Sequence, residues 1–186
     1  MKKHLRFVLM DLLLVAVVLG CSQPSSSTKT YNIGDTDPAG GIVFYDQGSV
    51  INGWRYMECA PSDQGTYSMP QTSTGVKATA IGAGKANTAA EVSIYGAGTY
   101  AQEICQNLHL NGYSDWFLPS KDEAVQMVDL VKLGLGDFPN FNNYQTSSEI
   151  DQFNTWCVYA DGGAGGLTIS TLKASGYVRA VREFAP

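Results

Sequence analysis

Few residues in this chain could do covalent or metal chemistry. Apart from Cys21 the cysteines are Cys59, Cys105 and Cys157, and beyond residue 20 the only histidine is His109. The cysteine spacings are wide and no CxxC occurs, so no metal site is expected. A Ser-His-Asp or Cys-His machine would have to be built on His109. That residue stands in ICQNLHLNGYSDW, at the end of a helical stripe and just before a turn. A histidine there caps or packs, so no catalytic residue is expected and the chain does not read as an enzyme. Three cysteines allow one disulfide with one leftover thiol, or three small buried hydrophobes, and the sequence leaves both open.

Two glycine-rich stretches invite a nucleotide and do not sustain it. GAGKA (82–86) would need a glycine where Thr79 stands and a serine or threonine where Ala86 stands to be a phosphate loop. GAGTYA (96–101) opens a helix, but no alternation of strands and helices follows, so it reads as a glycine-rich helix entry. No cofactor is expected.

Residues 137–166 hold a different chemistry. Phe138, Phe141, Tyr144, Trp156 and Tyr159 are interleaved with Asn140, Asn142, Asn143, Gln145 and Asn154. A ring covers the apolar side of a sugar while amides bond its hydroxyls. Tyr144, Ser147, Ser148, Glu149 and Trp156 are therefore the candidate ligand-binding residues, on a loop region.

The elements that must carry such a surface are legible in outline. IVFYD (42–46) and GWRYMEC (53–59) read as strands, and 60–79 as a long polar loop. Helical stripes run through 97–108 and 121–133, the second stopped by Gly134 and Gly136. Between them NGYSDWFLPSKDE gives a glycine turn, an aromatic strand, a proline and then Ser120-x-x-Glu123, a capping box. Asp115, Lys121 and Asp122 are its exposed remainder. TWCVYA (155–160), LTISTL (167–172) and YVRAVREF (177–184) read as strands.

The N-terminus has the form of an export signal. Lys2, Lys3 and Arg6 precede a short apolar run from Leu12 to Leu19, shorter than the ~20 residues a bilayer span needs. Val18-Leu19-Gly20-Cys21 resembles a bacterial lipobox, which implies cleavage after Gly20 and lipid on Cys21. Residues 1–20 are then a lipoprotein signal peptide, 21–30 the lipidated cysteine and a flexible tether, and 31–186 one domain. Buried acyl chains contribute about 0.8 kcal/mol per methylene, so two or three hold a protein to a membrane. Ser22 is compatible with the outer membrane, which gives a lipid-anchored protein of the cell envelope.

The whole chain has 12 basic and 17 acidic residues. The signal removes Lys2, Lys3, Arg6 and Asp11, leaving 9 against 16, a net charge of −7. Nucleic-acid binding rests on neutralising phosphates, so no nucleic-acid partner is expected.

Six blocks in order carry a resemblance: GGIVFYD (40–46), GWRYMECAPSD (53–63), IGAGKANTA (81–89), AQEICQNLHLNGYSDWFLPSKDE (101–123), TSSE (146–149) and GYVRAVREF (176–184). Together they resemble the Lcl C-terminal domain family, named for the C-terminal domain of the Legionella collagen-like adhesin. The resemblance implies an α+β, C-type-lectin-like domain with two helices. It also implies a small antiparallel sheet pairing N- and C-terminal strands, here 42–46 with 177–184, and long irregular loops. The function implied is adhesion, by recognition of a glycan or a protein ligand.

The family's best-known member binds sulfated polysaccharides through basic residues and forms trimers beside a collagen-like stalk. This chain has no Gly-X-Y stalk and is acidic, which argues against both properties here. It also lacks the Glu-Pro-Asn or Gln-Pro-Asp signatures of calcium-dependent lectins. Two alternatives are a structural envelope lipoprotein and an enzyme of the sulfatase-modifying type. The latter would need two of the three later cysteines close together at a cleft.

Overall fold

The computed structural model describes residues 29–139, 142–160, 166–171 and 174–186. The signal peptide, Cys21, most of the tether, Asn140, Phe141 and the glycine loop after Asp161 lie outside the described residues. Among the described residues no helix is long and apolar enough to cross a membrane.

The chain is mixed α and β. Its strands are β1 (Ile42–Ile51), β2 (Trp54–Cys59), β3 (Gly65–Tyr67), β4 (Asn142–Glu149), β5 (Asn154–Ala160), β6 (Gly166–Thr171), β7 (Gly176–Val178) and β8 (Val181–Phe184). Its helices are α1 (Gly84–Tyr95), α2 (Ala101–Gln106) and α3 (Lys121–Val128), the last running into a 3-10 turn at Asp129–Leu133. One sheet has the order β1-β2-β8, the other β3-β7-β4-β5-β6. Pairing is antiparallel throughout except where Tyr144 of β4 meets Tyr177 of β7.

Local chemistry accounts for the hairpin that opens the fold. Asn52 and Gly53 both have positive φ, 53° and 88°, between the partners Ile51 and Trp54. Two left-handed residues form the tight turn whose twist matches that of the strands it joins, and Asn-Gly is the pair best suited to it. β8 then pairs with β2, not with β1 as the resemblance implied: Tyr56 faces Phe184 and Cys59 faces Val181. The sheet still joins the two chain ends, with β2 in the middle.

The C-terminal run is two strands, not one. Arg179 interrupts it, and its guanidinium is buried. Nε donates to Asp63 Oδ1 at 2.5 Å, and Nη1 donates to the carbonyls of Ala60 (3.0 Å) and Gly136 (2.9 Å). A cation so placed satisfies three oxygens at the point where the backbone leaves one sheet for the other.

The aromatic segment before α3 is scaffolding. Trp116 and Phe117 are each 2% exposed and, as neighbours in an extended chain, point into different clusters. Trp116 packs with Ala101, Cys105, Leu118 and Val178. Phe117 packs with Phe44, Met57, Met127 and Val181. Burial of each such ring contributes about 1.5–3 kcal/mol. The Phe117 and Val181 amides exchange hydrogen bonds of 2.9 Å, fixing the segment to β8. Cys59, Cys105 and Cys157 are all buried thiols, which selects packing over bridging. Burial pushes the Cys59 thiol up to about 12 and raises Cys105 as well.

Candidate functional site

The capping box of α3 is present and does more than cap. Ser120 Oγ accepts from the Glu123 amide, and Glu123 Oε2 accepts from the Ser120 amide at 2.7 Å. Glu123 Oε1 also accepts from the amides of Gly82 (2.8 Å) and Gly84 (3.1 Å). α1 begins at Gly84, and its own N-cap, Ala83, offers no side-chain bond. One carboxylate thus serves the N-termini of two helices. The stretch that resembled a phosphate loop does cradle an anion, and the anion is the chain's own. Burial raises the Glu123 carboxyl to about 7 against the pull of the three amides.

The residues expected to bind ligand lie elsewhere and deeper. β4 sits in the middle of the five-stranded sheet, and Tyr144, Ser147, Ser148 and Glu149 are all at most 1% exposed. Tyr144 donates to Asp63 Oδ2 at 3.1 Å. Its ring meets those of Phe138 and Tyr177. Ser148 Oγ donates to the Ala78 carbonyl (2.7 Å) and accepts from the Lys121 amide (3.0 Å). The Ser147 amide donates to the Pro119 carbonyl at 2.8 Å. Glu149 accepts from Ser73 Oγ (2.7 Å), the amides of Thr74 (2.9 Å) and Gly75 (2.8 Å), and Tyr95 (3.3 Å).

These groups hold the long 60–79 loop and α3 to the sheet. Four of the five candidates therefore face the interior and are not open to a ligand. Trp156 is half-buried, with Lys121 Nζ 5.7 Å from its ring centre.

An open groove lies on the other side, between the β1–β2 hairpin and α1. Its larger lobe, about 530 Å³, is lined by Gln47, Asn52, Trp54, Ile81, Gly82, Lys85, Ala86, Ala89 and Glu183. A second lobe of about 190 Å³ is lined by Lys85, Thr88, Ala89, Gln106, Ser114, Asp115, Trp116 and Phe117. Lys85 and Ala89, one helical turn apart on α1, line both lobes and join them.

The sequence folds so as to present this groove. The Asn52-Gly53 turn carries Asn52 and Trp54 to its edge. Gln47 Nε2 donates to the carbonyls of Trp54 (2.5 Å) and Ile51 (3.2 Å), which steadies the hairpin. Trp54 Cζ2 stands 3.5 Å from the point where a side chain at Gly82 would begin, ordinary contact distance, so the ring packs on the loop that Glu123 holds. On β8, burial raises the Glu183 carboxyl and the charge of Lys85 works against that rise.

The other side of Asp115 is taken. Its Oδ1 accepts from Arg182 Nε at 2.6 Å. Arg182 also bonds Glu58 Oε1 (2.5 Å) and Asp37 Oδ2 (3.3 Å), and its guanidinium lies 4.1 Å from the Tyr113 ring centre. Burial, with Asp37 alongside, raises the Glu58 carboxyl to about 9.

The groove can bind by ring contact, amide hydrogen bonding and one cation set against two carboxylates. Sequence reasoning missed it because its residues come from five separate stretches. The Asn-Gly dipeptide before Trp54 was the signal that could have found its edge. Among the described residues no three His, Cys, Asp or Glu side chains are gathered as a metal would need. His109 is exposed, its Nδ1 2.9 Å from the Asn107 carbonyl. The molecule is thus a mixed α and β domain with a two-lobed surface groove. No family model and no curated protein matches the chain.

Proposed function

We propose that this chain is a lipid-anchored binding module of the cell envelope, held through Cys21, that takes a neutral glycan in the groove between the β1–β2 hairpin and α1. The observation that carries the reading is Trp54 on the groove, with the amides of Gln47 and Asn52 beside it and Lys85 opposite Glu183. A ring and amides suit the two faces of a sugar, and mixed charge of both signs disfavours strongly anionic ligands. The acidic balance of the chain points the same way. The six-block resemblance to the Lcl C-terminal domain family supports adhesion as the role, with the binding face moved from the 137–166 region to this groove.

The test is titration of the full chain, purified in detergent, with neutral β-linked oligosaccharides, followed by tryptophan fluorescence and calorimetry. Binding in the micromolar to millimolar range is expected, about −8 to −4 kcal/mol. Trp54→Ala should abolish it in protein that still unfolds cooperatively, at a lower melting temperature because the ring also packs against the core. Saturable binding that survives Trp54→Ala would refute the groove as the site.

A second reading, a structural envelope lipoprotein that meets protein, draws on Val50 and Ile51, which are 55% and 51% exposed on the hairpin. Concentration-dependent sedimentation lost in Val50→Ser/Ile51→Ser would favour it.

A further inference from the structure

The small lobe differs from the large one in what it can accept. Ala89, Trp116 and Phe117 are the apolar residues of its lining. Thr88 also lines it, but the Thr88 hydroxyl is engaged on both sides by Leu118, accepting from its amide (3.0 Å) and donating to its carbonyl (3.1 Å). What Thr88 can offer a ligand is therefore carbon. Polar groups stand among the exposed lining residues, Lys85, Gln106, Ser114 and Asp115, with Asp115 already paired to Arg182. Trp116 lines the lobe too, and its buried indole Nε1 has no hydrogen-bond partner among the described residues.

The lobe is two-faced, with Ala89, Trp116 and Phe117 contributing carbon and Lys85, Gln106, Ser114 and Asp115 standing polar at its exposed side. It suits a short substituent that has a methyl end and a polar amide end. A carboxylate or sulfate would approach Asp115, and a free ammonium would approach Lys85 and lose its water against the rings.

We propose that the small lobe is a subsite for the acyl amide of an N-acetylated amino sugar, so that the glycan of the groove is an N-acetylhexosamine oligosaccharide. The inference rests on the glycan reading above and deepens it. The sugar ring lies in the large lobe against Trp54. Its acetamido methyl enters between Ala89, Trp116 and Phe117, and the amide stays among Gln106, Ser114 and Lys85.

The experiment compares three tetramers on the full chain in detergent: β-1,4-linked N-acetylglucosamine, the same oligomer without its acetyl groups, and the glucose analogue. The acetylated tetramer should bind at least about tenfold tighter than either of the others, a difference of about 1.4 kcal/mol. Ser114→Leu, at an exposed position that lines the small lobe and not the large one, should crowd the lobe and erase that preference while the glucose tetramer binds as before. Ala90→Leu, exposed on α1 and outside the lining of both lobes, should change nothing.

Equal affinity for the acetylated and glucose tetramers, still dependent on Trp54, would overturn the acyl subsite and leave the glycan module standing. Preference for the free amine would overturn it too. No binding of any tetramer would remove both readings.

Discussion

At Gly84 an added methyl group would collide with Glu123 Oε2 and stand 2.8 Å from the Ser120 amide nitrogen and 3.0 Å from the Leu118 carbonyl oxygen. Two of those neighbours are backbone and cannot swing away. The third is the carboxylate that caps both α1 and α3. Gly84→Ala should therefore destabilise the fold by about 1–3 kcal/mol, the range for overpacking a closed site. Urea unfolding would register this as a lower midpoint with an unchanged slope. A substitution without effect would mean that the Glu123 bridge is loose enough to yield. Glycine is needed here for close approach, a requirement the sequence carries without revealing its cause.

Among the elements, those whose chemistry is local were the legible ones. Ser120 and Glu123 are three residues apart, and their box was read from spacing alone. GWRYMEC alternates and IVFYD is β-branched and aromatic, so both read as strands, and the 121–133 stripe ends at Gly134, whose φ of 69° is left-handed. Two elements were not legible. α1 buries Asn87, Thr88 and Glu91, so its inward face carries no apolar stripe. β4 buries Gln145, Thr146, Ser147, Ser148 and Glu149 in the middle of a sheet, where a polar run reads as loop. In both cases the partners that make burial tolerable come from distant stretches: the Ser73–Gly75 segment for Glu149, Gln102 for Glu91. The long C-terminal run hid a change of sheet at Arg179 for the same reason.

β4 makes a prediction at this scale. Glu149→Ala would take the carboxylate acceptor from Ser73, the Thr74 amide and Tyr95, and leave the Gly75 amide only the longer bond to Ser73 Oγ at 3.3 Å. Hydrogen exchange at Thr74 and Gly75 should rise by about tenfold or more, with α3 unchanged. Unchanged exchange there would show that the loop is held by something other than this carboxylate.

For the molecule as a whole, buried acids set the response to pH. Glu58 and Glu91 are both fully buried, and desolvation raises each carboxyl to about 9. Asp37 adds to the rise at Glu58 while Arg182 opposes it. At Glu91 the Gln102 amide opposes it and the charge of Glu149 adds to it. An unfolded chain releases these protons near 4.5. Between the two values the folded chain binds more protons than the unfolded one, so raising pH favours unfolding. Their stabilising contribution is complete below 4.5 and disappears as pH rises through 9. The melting temperature should fall steadily from about pH 5 to about pH 9, as calorimetry can follow, and Glu91→Gln should flatten part of the slope. A profile that climbs over this interval would contradict the protonated state of both acids.

Glu123 occupies from within a hollow that, in another chain, would await a guest. Remove it, as in Glu123→Ala, and the amides of Gly82 and Gly84 open onto the start of α1 with nothing negative to answer them. Small inorganic anions are the natural substitutes. Millimolar phosphate should then restore part of the lost thermal resistance of that variant, in proportion to the logarithm of its concentration once above its dissociation constant. The parent protein should ignore the same salt, because its own side chain already sits where the phosphate would go.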